Sequence, residues 1–168
     1  MNDHIYFDIN YFFILKTLEY ASKIHKNQTR NFGNEPCINH PIRIAKNPEV
    51  LNYNWEGICV AFLHDCIEDA DYPEEVEQYI LKNFSDKIYE AVKLLTHNRL
   101  EKSYDEYIET IMTSGNEIAI AVKYADSLDN SVPTSNMDEK WIERCKTYRL
   151  NSEKYLNILK ETQNARIS

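Results

Sequence analysis

His64 and Asp65 stand side by side in Ala61-Phe62-Leu63-His64-Asp65-Cys66-Ile67-Glu68-Asp69, at the end of an apolar run. An imidazole and a carboxylate are both metal-ligating groups, and two more carboxylates, Glu68 and Asp69, follow at once. On a helix, His64 lies above Glu68 and Asp65 above Asp69, one turn apart. Two potential ligands then precede two potential acid/base groups by one turn. The run that leads into them, Cys59-Val60-Ala61-Phe62-Leu63, calls for a buried face. Four polar groups at the edge of such a face need compensation, and a divalent cation supplies it.

Two other places interrupt apolar stretches with ligating groups. One is His40, in Asn39-His40-Pro41, and the other is Asp126, in Val122-Lys123-Tyr124-Ala125-Asp126-Ser127-Leu128-Asp129-Asn130. Two imidazoles and two carboxylates form an N/O donor set suited to Mn²⁺, Fe²⁺ or Zn²⁺ rather than to Ca²⁺ or a thiolate-bound metal. A five- or six-coordinate ion on four such donors keeps room for a water and a substrate oxygen. Each residue also has a structural explanation. A lone histidine, such as His4 or His97, is more often a surface or core residue, and a lone Asp near a helix end is usually a cap. The metal requires helix packing to bring the four together.

The elements that would do so are helices. Apolar residues recur at helical spacing from about Tyr11 to His25, at Phe12, Leu15, Leu18 and Ala21. A loop from Thr29 to Asn39 holds Gly33 and Pro36, and a short helix opened by Pro41 should stop at Pro48. The most apolar helix is expected over Trp55 to about Asp69. Asp71-Tyr72-Pro73-Glu74-Glu75 reads as the start of another, running to about Asn83. Ser85 caps a helix to Leu95. Ser103, with Glu106 three residues on, caps one to about Thr113, which Gly115-Asn116 breaks. A second strongly buried helix covers Glu117 to about Asn130, and an amphipathic, highly charged one covers about Asp138 to Glu161. No alternating strand pattern appears, so the predicted fold is an all-α helical bundle.

Composition narrows the function. The chain has 168 residues, 43% of them hydrophobic, with only three Gly and five Pro. That suits one globular domain, 1–168, with one core. A net charge of −8 argues against nucleic-acid binding, which depends on Lys and Arg neutralising phosphates. A small anion is still accessible if a metal and a few local cations reverse the field in a pocket. Cys37, Cys59, Cys66 and Cys145 form no Cys-x-x-Cys pair. Met1-Asn2-Asp3-His4 lacks the basic start of a signal peptide, and Tyr11-Phe12-Phe13-Ile14-Leu15 is too short to span a bilayer. The expectation is a reduced, soluble, cytoplasmic protein without a membrane partner.

Four segments in order carry a family resemblance: Ala21 to Arg30, Pro36-Cys37-Ile38-Asn39-His40-Pro41, Ala61 to Asp69, and Val122 to Asn130. They resemble the HD-domain metal phosphohydrolases, and within them the hydrolase domain of RelA/SpoT alarmone enzymes and the small stand-alone alarmone hydrolases. The second segment is similar to that family's Pro-Tyr-Ile-x-His-Pro, with Cys37 for Tyr. The third is similar to its HDxxED, and the fourth to its Val-Lys-x-Ala-Asp-x-x-x-Asn. The motif core spans about 21–130, with the charged helix of about 138–161 beyond it.

The resemblance implies a single HD-type helical domain with a metal, typically Mn²⁺, on His40, His64, Asp65 and Asp126. It implies that Glu68 and Asp69 orient or activate the attacking water. It places Arg30 against a guanine base and Asn130 near the ribose or its 3′ side. The implied activity is hydrolysis of guanosine 3′,5′-bis(diphosphate), (p)ppGpp, with loss of the 3′-pyrophosphate. The alternatives are an HD-type hydrolase of another nucleotide and a non-catalytic nucleotide-sensing module. Asn31 and Ser127 stand where alarmone hydrolases often carry positive charge, and Lys123 and Arg99 are the cations that could replace it.

Overall fold

The structure, a computed structural model, describes residues 9–31, 34–134 and 136–167. Gly33 and the Met1–His4 start lie outside the described residues. Nine helices are found among them: α1 Ile9–Ile24, α2 Asn39–Ala45, α3 Pro48–Leu51, α4 Asn54–Leu63, α5 Pro73–Asn83, α6 Asp86–Leu95, α7 Tyr104–Thr113, α8 Glu117–Asn130 and α9 Glu139–Ile167. The one β-type pairing described is an isolated bridge between Thr29 and Pro36. The all-α expectation holds.

Local chemistry explains most boundaries. Ser85 accepts from Ile88 N at the head of α6. Ser103 and Glu106 form a reciprocal capping box on α7. Asn116 caps α8 through Ala119 N, after Gly115 turns the chain at φ 69°, a left-handed conformation that costs glycine little. Pro48 does not simply stop α2. It occupies the first turn of α3, capped by the Asn47 side chain.

α8 forms the centre of the bundle, packed by α2, α3, α4, α6, α7 and α9. Nine of its fourteen residues are buried, every one from Ile118 to Ser127 except Tyr124. α4 crosses it, carrying Cys59 to Leu63 into the core. Gly57 lets α4 approach α3: a Cβ there would lie 2.4 Å from the Val50 carbonyl oxygen. α9 closes the opposite side with Tyr155 and Leu159 fully buried, and it runs several residues beyond the expected Glu161.

Two expectations need correction. α1 does not turn Phe12 and Leu15 inward; they are 44% and 49% exposed. Its inner face is Phe13, Thr17 and Ala21, where Thr17 meets Cys59 and Phe13 stacks on Trp55. The hydroxyl of Thr17 is satisfied by the Phe13 carbonyl, which makes a polar residue acceptable in the core. The second correction is that α4 ends at Leu63 rather than near Asp69, and His64 to Glu68 form a turn.

Candidate metal centre

The turn after α4 builds the site. His64 keeps helical dihedrals, but its Nδ1 bonds the Ala61 carbonyl at 2.8 Å, and Cys66 N bonds Leu63 O at 3.0 Å. An i−3 bond winds the backbone tighter than a regular α-turn. Asp65 and Asp69 still stand one α-type turn apart, Asp69 N bonding Asp65 O at 2.9 Å, but the stretch is not a regular continuation of α4. The tightened turn instead aims His64 and Asp65 inward together.

With Nδ1 committed to the backbone, the remaining nitrogen of His64, Nε2, faces the cluster. It is buried and has no hydrogen-bond partner. Asp65 Oδ2 lies 3.0 Å away, an ion-pair distance. His40, at the head of α2, brings Nε2 to 3.8 Å from the same oxygen. Ligating atoms of His40, His64 and Asp65 all lie within 4.8 Å of one another. Asp126, from α8, joins through His40: its Oδ1 is 3.1 Å from His40 Nε2. A buried imidazole nitrogen without a partner, facing two further donors, fits a divalent cation.

The electrostatics are those of a compressed charge cluster. Burial disfavours the His64 imidazolium, yet the carboxylates of Asp65 and Asp126 outweigh it and push it up to about 9. Burial works against the Asp65 carboxylate, but His64 and His40 take it down to about 2. Asp126 is buried too, and the Lys123 ammonium with His40 holds it well below the usual range. Lys123 Nζ donates to Asp126 Oδ2 at 2.8 Å and lies over the Tyr107 ring at 5.0 Å. Lys123 is thus committed to the core and to Asp126.

Glu68 and Asp69 flank the cluster. Both carboxyls are pushed up, first by burial and then by the Asp65 charge, although His97 N donates to Glu68 Oε1 at 2.6 Å. The Asp69 side chain is 45% exposed, so screening by water tempers its shift. His25 Nδ1 lies 3.7 Å from Asp69 Oδ2 and bonds the Gln28 amide, which itself donates to the Asp69 carbonyl. The α1–α2 loop, tied by Arg30 N to Glu35 O and Cys37 N to Gln28 O, presents Arg30. Arg30 Nη2 donates to Asn130 Oδ1 at 2.5 Å, and Asn130 Nδ2 donates to Asp126 Oδ1 at 2.5 Å. All eight residues singled out in the sequence therefore meet at one end of α8. Ser127 is fully buried and Asn31 is exposed.

Three neighbours escaped the sequence reading. Asp129 accepts from His40 Nδ1 and is clasped by Arg43, and Arg43 also pairs with Glu35. Burial raises the Asp129 carboxyl, but His40 and Arg43 more than reverse this and hold it far below the usual range. The signal available in the sequence was spacing: Asp129 is three residues past Asp126, and Arg43 three past His40.

This fold and this histidine–aspartate cluster define a class of metal-dependent helical domains, and comparison with known proteins agrees. The HD domain family matches residues 17–124, and the chain belongs to that family. Among curated proteins it is similar to the probable guanosine-3′,5′-bis(diphosphate) 3′-pyrophosphohydrolase of Mycoplasma pneumoniae, with 30% identity over 128 residues, 70% of this chain. It is similar to the corresponding 3′-pyrophosphohydrolase of Aquifex aeolicus, with 31% identity over 122 residues, again 70% of this chain. The chain spans 17% of the length of each. Among solved structures it resembles one described as "A metazoan ortholog of SpoT hydrolyzes ppGpp and plays a role in starvation responses", with a TM-score of 0.65 and 24% identity. That likeness covers 88% of this chain and 85% of the other, and it supports the fold.

Proposed function

We propose that this chain is a divalent-metal phosphohydrolase that removes the 3′-pyrophosphate from (p)ppGpp. The observation that carries this reading is the convergence of His40, His64 and Asp65 around a buried, unpartnered His64 Nε2. The curated relatives named above support the substrate. His40, His64, Asp65 and Asp126 would hold the metal, and their N/O donor set suits Mn²⁺. When bound, such an ion neutralises charge on phosphate oxygens and acidifies water.

The chain's own groups do the rest. Glu68 and Asp69, with carboxyls raised by burial, accept the proton of an attacking water, a contribution of about 10²–10⁴ in rate. The water oxygen bonds to the phosphorus next to the 3′ oxygen, the bond from that phosphorus to the 3′ oxygen breaks, and the proton held by the carboxyl pair passes to the 3′ oxygen, which leaves as the ribose hydroxyl. ppGpp gives GDP and pyrophosphate; pppGpp gives GTP and pyrophosphate. Arg30 releases Asn130 and lies along the guanine, and Asn130 meets the 3′ side of the ribose. The substrate is a small guanine nucleotide, with neither nucleic acid nor membrane as partner. No helix among the described residues is long and apolar enough to cross a membrane, and the four free thiols suit a reducing cytoplasm.

The test is pyrophosphate release from ppGpp, with and without added Mn²⁺, beside a panel of other nucleotides. Metal-dependent release from ppGpp is expected. Release no faster than background, or turnover of another nucleotide alone, rejects the alarmone substrate.

A further inference from the structure

Asp129 falls at an unspecified position of the Val122–Asn130 motif, yet it makes the shortest polar contact of the His40 ring. His40 Nδ1 lies 2.7 Å from Asp129 Oδ2, while its Nε2 lies 3.1 Å from Asp126 Oδ1. Asp126 and Asp129 are one turn apart on α8, so a single turn of that helix grips the imidazole by both nitrogens. Arg43 then fixes Asp129 from the other side with two parallel bonds, Nε to Oδ1 at 2.6 Å and Nη2 to Oδ2 at 2.9 Å. Arg43 sits three residues after His40 on α2, so ligand and brace share one helix face. Its remaining arm pairs with Glu35 in the loop before α2. The result is a closed relay, Glu35–Arg43–Asp129–His40, with the His40 side chain only 4% exposed at its inner end.

The geometry points to Asp129, braced by Arg43, as the positioning residue that makes His40 a metal ligand, a role that rests on the metal reading proposed above. Asp129 accepts the Nδ1–H of His40, so Nε2, 3.1 Å from Asp126 Oδ1 and 3.8 Å from Asp65 Oδ2, is the nitrogen that a metal would displace from its carboxylates and take as a donor. The other histidine reaches the same state differently, because His64 Nδ1 is held by the neutral Ala61 carbonyl. A carboxylate on the far nitrogen strengthens a histidine donor more than a carbonyl does, and loss of such an outer partner costs about 10–100-fold in metal affinity. His40 stands in the first turn of a short helix, and no backbone carbonyl holds its Nδ1 as Ala61 holds that of His64. The bidentate clasp also fixes the plane of the Asp129 carboxylate, and with it the plane of the ring.

The test is calorimetric titration of the full chain with Mn²⁺ at one pH, for the parent, Asp129→Asn, Asp129→Ala, Asp129→Glu and Arg43→Gln. Imidazole ¹H–¹⁵N spectra and melting temperatures are recorded on the metal-free proteins. Asp129→Asn and Asp129→Ala should weaken Mn²⁺ about 10–100-fold. Arg43→Gln should weaken it less, and Asp129→Glu should recover part of the loss. The His40 Nδ1–H signal should shift in Asp129→Ala while the His64 Nδ1–H signal, held by the Ala61 carbonyl, stays in place. A lowered melting temperature with Mn²⁺ affinity and the His40 pattern unchanged would overturn the positioning role. Should Asp129→Ala not fold, Asp129→Asn and Arg43→Gln decide by the same criteria. A parent chain that binds no Mn²⁺ overturns the metal reading itself, which is distinct from variants matching a parent that binds.

Discussion

On the proposed metal reading, His64 is the residue where proton and metal would compete. The metal-free imidazole is pushed up to about 9, against about 6.5 when exposed. The folded state therefore holds that proton more tightly than the unfolded state. The stabilisation is complete below pH ~6.5 and is lost as pH rises through about 9. The melting temperature of EDTA-treated protein should fall across that window. A metal ligand must be unprotonated, so Mn²⁺ binding near neutrality should expel a proton from His64. Calorimetry in two buffers of different ionisation enthalpy measures it, and a proton count of zero at neutral pH is the contrary result. Asp126 carries two duties, since it faces His40 and pairs with the buried Lys123. Asp126→Ala should lose Mn²⁺ and hydrolysis together. It should also cost about 3–5 kcal/mol in urea unfolding, because the Lys123 ammonium is left buried and alone. In the proposed function, Glu68 and Asp69 act at the proton step, which Glu68→Gln and Asp69→Asn test. Each should lower kcat by about 10²–10⁴ while Mn²⁺ affinity stays near the parent value.

At the scale of elements, the decisive feature is where α4 stops. The apolar run from Cys59 to Leu63 is interrupted by His64-Asp65 and resumes at Cys66-Ile67, a pattern that a continuing helix would also allow. The end is made by the His64 side chain bonding the Ala61 carbonyl, and by the tightened turn at Cys66. Periodicity reports burial, and burial continues through the turn: Cys66 and Ile67 are as buried as the helix before them. α1 shows the converse. Phe12 and Leu15 looked inward because large apolar residues usually do, but the tight α1–α4 contact takes Thr17 and Ala21 instead. Close helix approach also governs α3 against α4. In Gly57→Ala the new methyl carbon meets the Val50 carbonyl oxygen, which is backbone and cannot rotate away. A loss of about 1–3 kcal/mol is expected in urea unfolding, with the metal site retained. Unchanged stability would mean that α3 shifts freely.

Across the whole molecule, α8 links the metal cluster to the far side of the bundle. One face supplies Asp126, Asp129 and Asn130, and another supports α9. Tyr155 of α9 is fully buried, and its hydroxyl has no partner. Tyr155→Phe should therefore be close to neutral, since it removes a polar atom that pairs with nothing. Tyr155→Ala should cost about 3–5 kcal/mol and leave a cavity behind α8. Chemical denaturation of the two variants separates packing from hydrogen bonding. Equal losses would assign the hydroxyl a partner and sink this account. α9 is the longest helix described, and Arg166 near its end pairs with Glu117 at the start of α8, so their contact extends to that end of α8.

The sequence by itself determined the helical class and most of the caps, and it singled out eight candidate residues that the fold brings towards one end of α8. Those features follow from short-range rules: periodicity, cap chemistry and ordered motifs, each contained within about ten residues. Only the tertiary structure decided that His64 to Glu68 is a turn, that Lys123 is spent on Asp126, and that Asp129 and Arg43 hold His40. His40 and Asp129 are 89 residues apart, and no local rule pairs them. Their contact exists because α2 and α8 pack together, and packing is set by the whole core rather than by either segment.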